Sequence, residues 1–268
     1  MNIYLEEYST QDSVKKYTKM TAGHGINFLL ENVYGPIYLD IIDDILNKMD
    51  VSNGLRILEF GCGGGMNLIY LINKLSKNGI PLDIAYGTDF SSVLIEAAKN
   101  EAKEFLDSTQ IEKVNFFVAS NENLINDLSK ALGKVPENLL NSFHFVFGIN
   151  TIRYCHRLKK EKECSENIFN LLTKGGTCII IDMNRKFPFF RSRFRDKLSK
   201  TKDQTYLPTL SEYTQPFEKS GFDIITKKNF CWVPHSARGI IFFICKLLDL
   251  IPEYAMRSLV ISRKSSSN

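Results

Sequence analysis

The stretch Arg56-Ile57-Leu58-Glu59-Phe60-Gly61-Cys62-Gly63-Gly64-Gly65-Met66-Asn67 decides how the rest of the chain reads. An apolar run ends in an acid, meets a turn with glycine at alternate positions, and leads into an apolar helical pattern. That strand–turn–helix layout marks a nucleotide-type site in an open α/β sheet. The dinucleotide pattern G-x-G-x-x-G needs glycine at its sixth position, which here holds Met66. No Lys-Ser/Thr pair follows the glycines, so a phosphate-gripping P-loop is excluded too. An acid two residues before the first glycine repels a diphosphate and attracts an ammonium group.

Glu59-x-Gly61-x-Gly63-x-Gly65 resembles the first motif of the class I S-adenosylmethionine-dependent methyltransferases. A second match is Tyr86-Gly87-Thr88-Asp89-Phe90-Ser91, where an apolar stretch ends in an acid and a helix pattern follows. The resemblance implies a Rossmann-like α/β fold: a mostly parallel seven-stranded sheet flanked by helices, with helical cap additions. It implies S-adenosyl-L-methionine as cofactor, with Asp89 accepting from both ribose hydroxyls. A carboxylate suits that task because its two oxygens make two charge-assisted hydrogen bonds. Read alone, Asp89 is equally a helix cap. The implied cofactor residues are Glu59, Phe60, Gly61, Cys62, Gly63, Gly65, Asp89, Phe90, Ser120, Asn121, Gly148 and Asn150. Ser120 and Asn121 stand where many members carry an acid near the adenine.

Periodicity places strands at about 55–60, 83–88, 114–118, 143–147 and 178–181, with a closing strand at 259–264. Helical patterns occupy about 65–77, 91–107 and 159–173, and Gly175-Gly176 reads as a turn before strand five. Residues 10–50 read as helices broken at Gly35-Pro36. The chain is expected to form a single methyltransferase domain over 1–268. Residues 1–50 are its helical lid, 51–183 the cofactor core, 184–209 and 232–255 cap insertions, and 210–231 with 256–264 the closing elements.

Composition agrees with a cytoplasmic enzyme: 268 residues, 44% hydrophobic, 24% charged, net charge +4. The first twenty residues lack the apolar centre of a signal peptide. The six cysteines form no C-x-x-C pair and no metal-type spacing, so no metal site is expected.

Methyl transfer from a sulfonium needs no covalent nucleophile, only placement of the acceptor and, for a protonated one, a base. Thr151-Ile152-Arg153-Tyr154-Cys155-His156-Arg157 follows strand four, where the resemblance places substrate-facing residues. His156 is the candidate base, Tyr154 a substrate-orienting residue, and Arg153, Arg157 and His24 candidate substrate contacts. Each has a plainer alternative as a packed or solvated side chain.

No N/D-P-P-Y run, Pro-Cys nucleophile or double-glutamate loop occurs in the expected places. The expected acceptor is therefore an O, N or C atom of a small metabolite, and nucleic acid is disfavoured. The alternatives are an RNA or protein methyltransferase using the basic segment 185–202, or a catalytically silent cofactor-binding domain. The apolar run 240–248 fits a pocket wall, core packing or a homodimer contact. It is too short for stable membrane insertion.

Overall fold

The computed structural model describes residues 8, 10, 24–188, 207–233 and 240–265. The unit that organises them is β1 (Leu55–Phe60), a glycine elbow and α3 (Met66–Lys77). β1 is buried along nearly its whole length, as a strand covered on both faces must be. In α3 the buried residues Leu68, Ile69, Leu71, Ile72 and Leu75 fall on one helical stripe, which packs on the sheet.

The sheet has seven strands in the order β3-β2-β1-β4-β5-β7-β6. Here β2 is Leu82–Asp89, β3 Val114–Val118, β4 Phe143–Ile149, β5 Leu172–Met183, β6 Phe222–Phe230 and β7 Arg257–Lys264. Strands β1 to β5 pair in parallel; β7 runs antiparallel to both β5 and β6. The remaining helices are α1 (His24–Leu29), α2 (Gly35–Lys48), α4 (Ser92–Phe105), α5 (Ser108–Ile111), α6 (Leu124–Leu132), α7 (Ile152–Leu158), α8 (Glu161–Leu171), α9 (Leu210–Lys219) and α10 (Ile240–Leu248). One apolar layer joins α1, α2 and α3 to one sheet face, and a second joins α6, α8 and α9 to the other. Strand order reverses between β1 and β4. A crevice therefore opens at their C-terminal ends, at Gly61 and Asn150.

Three expectations need correction. Gly35-Pro36 does not break the N-terminal helices. Leu30–Tyr34 forms a π-helical turn that runs straight into α2, with Pro36 in its first turn, where a missing N–H costs nothing. The helix expected at 159–173 is α8, and a helix that was not expected, α7, precedes it, with Lys159 in a left-handed conformation (φ 57°) between them. Gly175-Gly176 does not precede strand five. The strand starts at Leu172 and absorbs both glycines as an irregularity in its register with β4. Among the described residues no helix is long and apolar enough to cross a membrane.

Gly65 caps the elbow at φ 78°, and a Cβ there would lie 2.8 Å from the Phe116 ring and 3.0 Å from Ala98 Cβ. Gly65→Ala is expected to destabilise the chain by about 1–3 kcal/mol, the cost of a strained backbone conformation. Urea unfolding measures this, and an unchanged midpoint would contradict the reading.

Candidate functional site

The elbow works because its alternate glycines take positive φ: Gly61 at 60°, Gly63 at 53° and Gly65 at 78°. Those values turn the Gly63 amide toward the end of β2. There Asp89 Oδ2 accepts from Gly63 N at 3.0 Å, and Oδ1 accepts from Ser91 N at 2.9 Å. Burial pushes the Asp89 pKa up to about 6, with the two amide bonds working against it. Glu59 ends β1 beneath the elbow and is almost fully buried. Its Oε2 accepts from Leu68 N at 3.1 Å, and its Oε1 has no hydrogen bond of ordinary length. Burial holds this carboxyl well above the usual range, opposed by the Asn67 side chain and the Leu68 amide.

Beside the elbow lies a cavity of about 350 Å³. Gly63 and Gly64 border open space: an added Cβ would meet nothing within 4 Å at either one. The arrangement offers the Asp89 carboxylate at one strand end and a backbone cradle free of side chains, with Glu59 buried beneath it. It fits a ribose-bearing, positively charged ligand and suits a polyphosphate poorly.

Several expected residues come together at this cavity: Gly61, Cys62, Gly63, Asp89, Phe90, Asn150, Arg153 and Tyr154. Asn150 has φ 56°, and its Oδ1 is buried without a hydrogen-bond partner. Asn121 borders an adjoining pocket with Ser120, Phe90 and Thr151. Its Nδ2 donates to Thr151 Oγ1 at 2.8 Å, which leaves Oδ1 buried and without a partner. Ser120 is turned away to Asp127, with both N and Oγ at 3.1 Å from Oδ2.

One wall is a polar row. Arg153 donates to Asp182 Oδ1 at 2.7 Å and to Tyr154 Oη at 3.0 Å, and Tyr154 Oη meets the hydroxyl of Tyr8. Burial alone would lower the Arg153 pKa, but Tyr154, Asp182 and Tyr8 outweigh it and hold the guanidinium charged. Arg153 is thus matched inside the protein and is not an open cation waiting for a substrate carboxylate.

Other expectations are not met by the geometry. Phe60 and Gly148 face each other in the core, where a Cβ on Gly148 would lie 2.4 Å from the Phe60 ring. Gly65 packs against Phe116 and does not line the cavity. His156 points away from it: its ring stands edge-on to Tyr213 at 5.6 Å, and burial lowers its pKa. On a helix of period 3.6, residues two apart point to different sides, so Tyr154 at the cavity puts His156 elsewhere. Arg157, also on α7, is partly buried away from the cavity. His24 begins α1, but its side chain lies outside the described residues, as do Phe189 to Tyr206.

The sequence reading missed Tyr8, Leu29, Leu30, Tyr34, Met66, Asn67, Leu94, Thr151 and Met183 on the cavity wall, and Asp182 behind it. Asp182 had a legible signal, since it is an acid closing an apolar strand, as are Glu59 and Asp89. Tyr34 had none, because its place depends on the π-helical turn.

A family model described as a methyltransferase domain matches residues 51–238. Over 169 residues the chain is 30% identical to the non-reducing polyketide synthase sor2 of Hypocrea jecorina, covering 59% of this chain and 6% of that protein. The chain thus spans a small fraction of the curated relatives it matches. Among solved structures, Haemonchus contortus phosphoethanolamine N-methyltransferase 2 in complex with S-adenosyl-L-methionine aligns over 98% of this chain and 60% of that one, at TM-score 0.62 and 16% identity. The CurJ carbon methyltransferase aligns over 82% and 51%, at TM-score 0.53 and 16% identity.

Asp182→Ala is expected to cost about 3–5 kcal/mol of stability, since it strands the buried Arg153 charge. Adding Arg153→Leu should recover part of the loss. Thermal unfolding decides this, and a loss below about 1 kcal/mol in the single variant would show that the pair is not coupled as described.

Proposed function

The chain belongs to the methyltransferase domain family, with S-adenosylmethionine as its cofactor, and we propose that it methylates an activated carbon of a small, largely apolar molecule carrying one oxyanion. The bound cofactor supplies a methyl group already activated on a sulfonium. The chain's task is to hold the donor and acceptor in line and to exclude water, which supplies about 7–11 kcal/mol of barrier reduction in well-oriented systems.

The donor's nucleoside is assigned to the elbow, with Asp89 accepting from its two ribose hydroxyls and Asn121 serving the adenine. Glu59 acts through the elbow by fixing the start of α3. The acceptor is assigned to the space bounded by Leu29, Leu30, Tyr34, Met183 and Tyr154.

The row Arg153–Tyr154–Tyr8 carries this reading. Its cation donates to the Tyr154 hydroxyl, which also meets that of Tyr8, and favours negative charge on an acceptor oxygen beside it. An enolate matches that need, because its charge rests on oxygen while its carbon attacks. Carbon acids flanked by two carbonyls form such enolates without a strong base, which suits a cavity that His156 does not reach. The likeness to a polyketide synthase and to a carbon methyltransferase supports the same class. Amine and hydroxyl acceptors are the alternatives, and the basic segment that favoured RNA or protein falls mostly outside the described residues.

Asp89 generates a pH prediction. The group titrates near 6 in the free chain, and accepting two O–H bonds favours its ionised form. Affinity for S-adenosylhomocysteine should therefore be full above pH 6 and fall by up to about tenfold per unit below it. Calorimetric titration should find the profile flattened, and binding weakened by about 1.5–3 kcal/mol, in Asp89→Ala. An identical profile in the variant would remove Asp89 from the site.

A β-dicarbonyl thioester assayed by mass spectrometry tests the acceptor. The native chain should add one methyl group to carbon. Tyr154→Phe should lower kcat by on the order of a hundredfold while leaving S-adenosylhomocysteine binding intact. Undiminished turnover in the variant, or methylation of amines alone, would overturn the carbon assignment.

A further inference from the structure

Tyr34 is a polar residue on the cavity wall that packing does not explain. It closes the π-helical turn Leu30–Tyr34, where the Gly35 amide donates back to Leu30 O. Turns of this kind are rare and gather at functional sites. This one sets Leu30 and Tyr34 together on the acceptor side of the cavity. Tyr34 is only 3% exposed, and its Oη is buried without a hydrogen bond of ordinary length. A buried hydroxyl in that state costs stability that a phenylalanine ring of the same shape would avoid. The hydroxyl thus suits a partner that no described residue supplies at ordinary length.

The surroundings of Tyr34 repeat those of Tyr154. β7 runs antiparallel to β5, so its first residue, Arg257, lies opposite the last residue of β5, Met183. Residues directly opposite in such a pair share one side of the sheet, and Met183 borders the cavity. Arg257 is 1% exposed, and its guanidinium carbon lies 5.6 Å from the centre of the Tyr34 ring. Burial pushes the Tyr34 phenol above its ordinary range and keeps it protonated, with Arg257 the largest influence in the other direction. Arg153 stands in a similar relation to Tyr154: its guanidinium carbon lies 4.6 Å from the centre of that ring, and it donates to that hydroxyl. One cavity therefore carries two phenols, each with an arginine against it.

We infer, on the carbon-acceptor reading given above, that Tyr34 is a second acceptor-binding hydroxyl and that the cavity holds both oxygens of a 1,3-dicarbonyl molecule. In the enolate of such a molecule the charge is shared by two oxygens that flank the attacking carbon. Tyr154 meets one oxygen and Tyr34 donates to the other, which stabilises the shared charge and fixes the carbon between them. Leu29 and Leu30, beside Tyr34, border the apolar ends. A ketone with a single oxygen leaves one hydroxyl unmatched, and a site built to hydrogen-bond both oxygens discriminates against it.

Heptane-3,5-dione is the probe and heptan-3-one its one-oxygen control, both titrated into the full chain saturated with S-adenosylhomocysteine. The native chain should bind the dione more tightly than the ketone. The ultraviolet band of the enolate should grow on binding, as the dione gives its proton to the buffer. Tyr34→Phe should weaken dione binding at least tenfold and shrink that band, while changing heptan-3-one binding by no more than about twofold. Its Tm should hold or rise, because the lost hydroxyl serves the ligand and not the fold. Unchanged dione affinity in the variant would overturn the inference and leave the carbon-acceptor reading standing. So would a fall in Tm of more than about 4 °C, the mark of a hydrogen bond lost within the fold. No binding of the dione by the native chain would remove that reading, and the inference with it.

Discussion

The hydrogen bond from the Gly63 amide to the Asp89 carboxylate is the constraint on which the site depends. It joins the elbow after β1 to the end of β2, 26 positions away in sequence, at 3.0 Å. It forms only because Gly61, Gly63 and Gly65 accept left-handed conformations, which other residues enter at a cost of roughly 1–2 kcal/mol each. A buried carboxylate is costly, and two backbone amides offset part of that cost while leaving lone pairs directed at the cavity. Glu59, beneath the same elbow, ties its other end to the start of α3.

The cavity opposite the elbow is built differently. Its walls come from α1 and the π-helical turn, from the start of α7, and from Tyr8 near the N-terminus. Charge on that wall is paired, with Arg153 and Asp182 satisfying one another and Arg153 also donating to the Tyr154 hydroxyl. This explains how a chain with a methyltransferase core can tolerate a buried arginine beside a small apolar space.

How much of this is legible in the sequence follows from how local each signal is. β1, the elbow and α3 are specified by neighbouring residues, so their bounds read directly, and the same locality puts Asp89 at the end of β2. His156 fails because the reading weighed residue type without helical phase, and Tyr154 and His156 cannot share one side of α7. Gly148 and Phe60 read as ligand contacts by position along their strands, yet the structure spends both on packing across β1 and β4. Gly175-Gly176 carries turn chemistry that strand pairing overrides. Tyr34 and Tyr8 were out of reach, because long-range packing of the N-terminal segment places them. The exposed face of α10 read equally as core or contact until the structure separated its two sides.

The central claim is that the elbow spanning Glu59 to Gly65, together with Asp89, holds the nucleoside of the methyl donor. A crystal structure of the chain with S-adenosylhomocysteine addresses it most directly. The account predicts both ribose hydroxyls within hydrogen-bonding distance of the Asp89 carboxylate and the amino-acid end running along Gly61 to Gly63. A nucleoside bound elsewhere, with the elbow untouched, would contradict it.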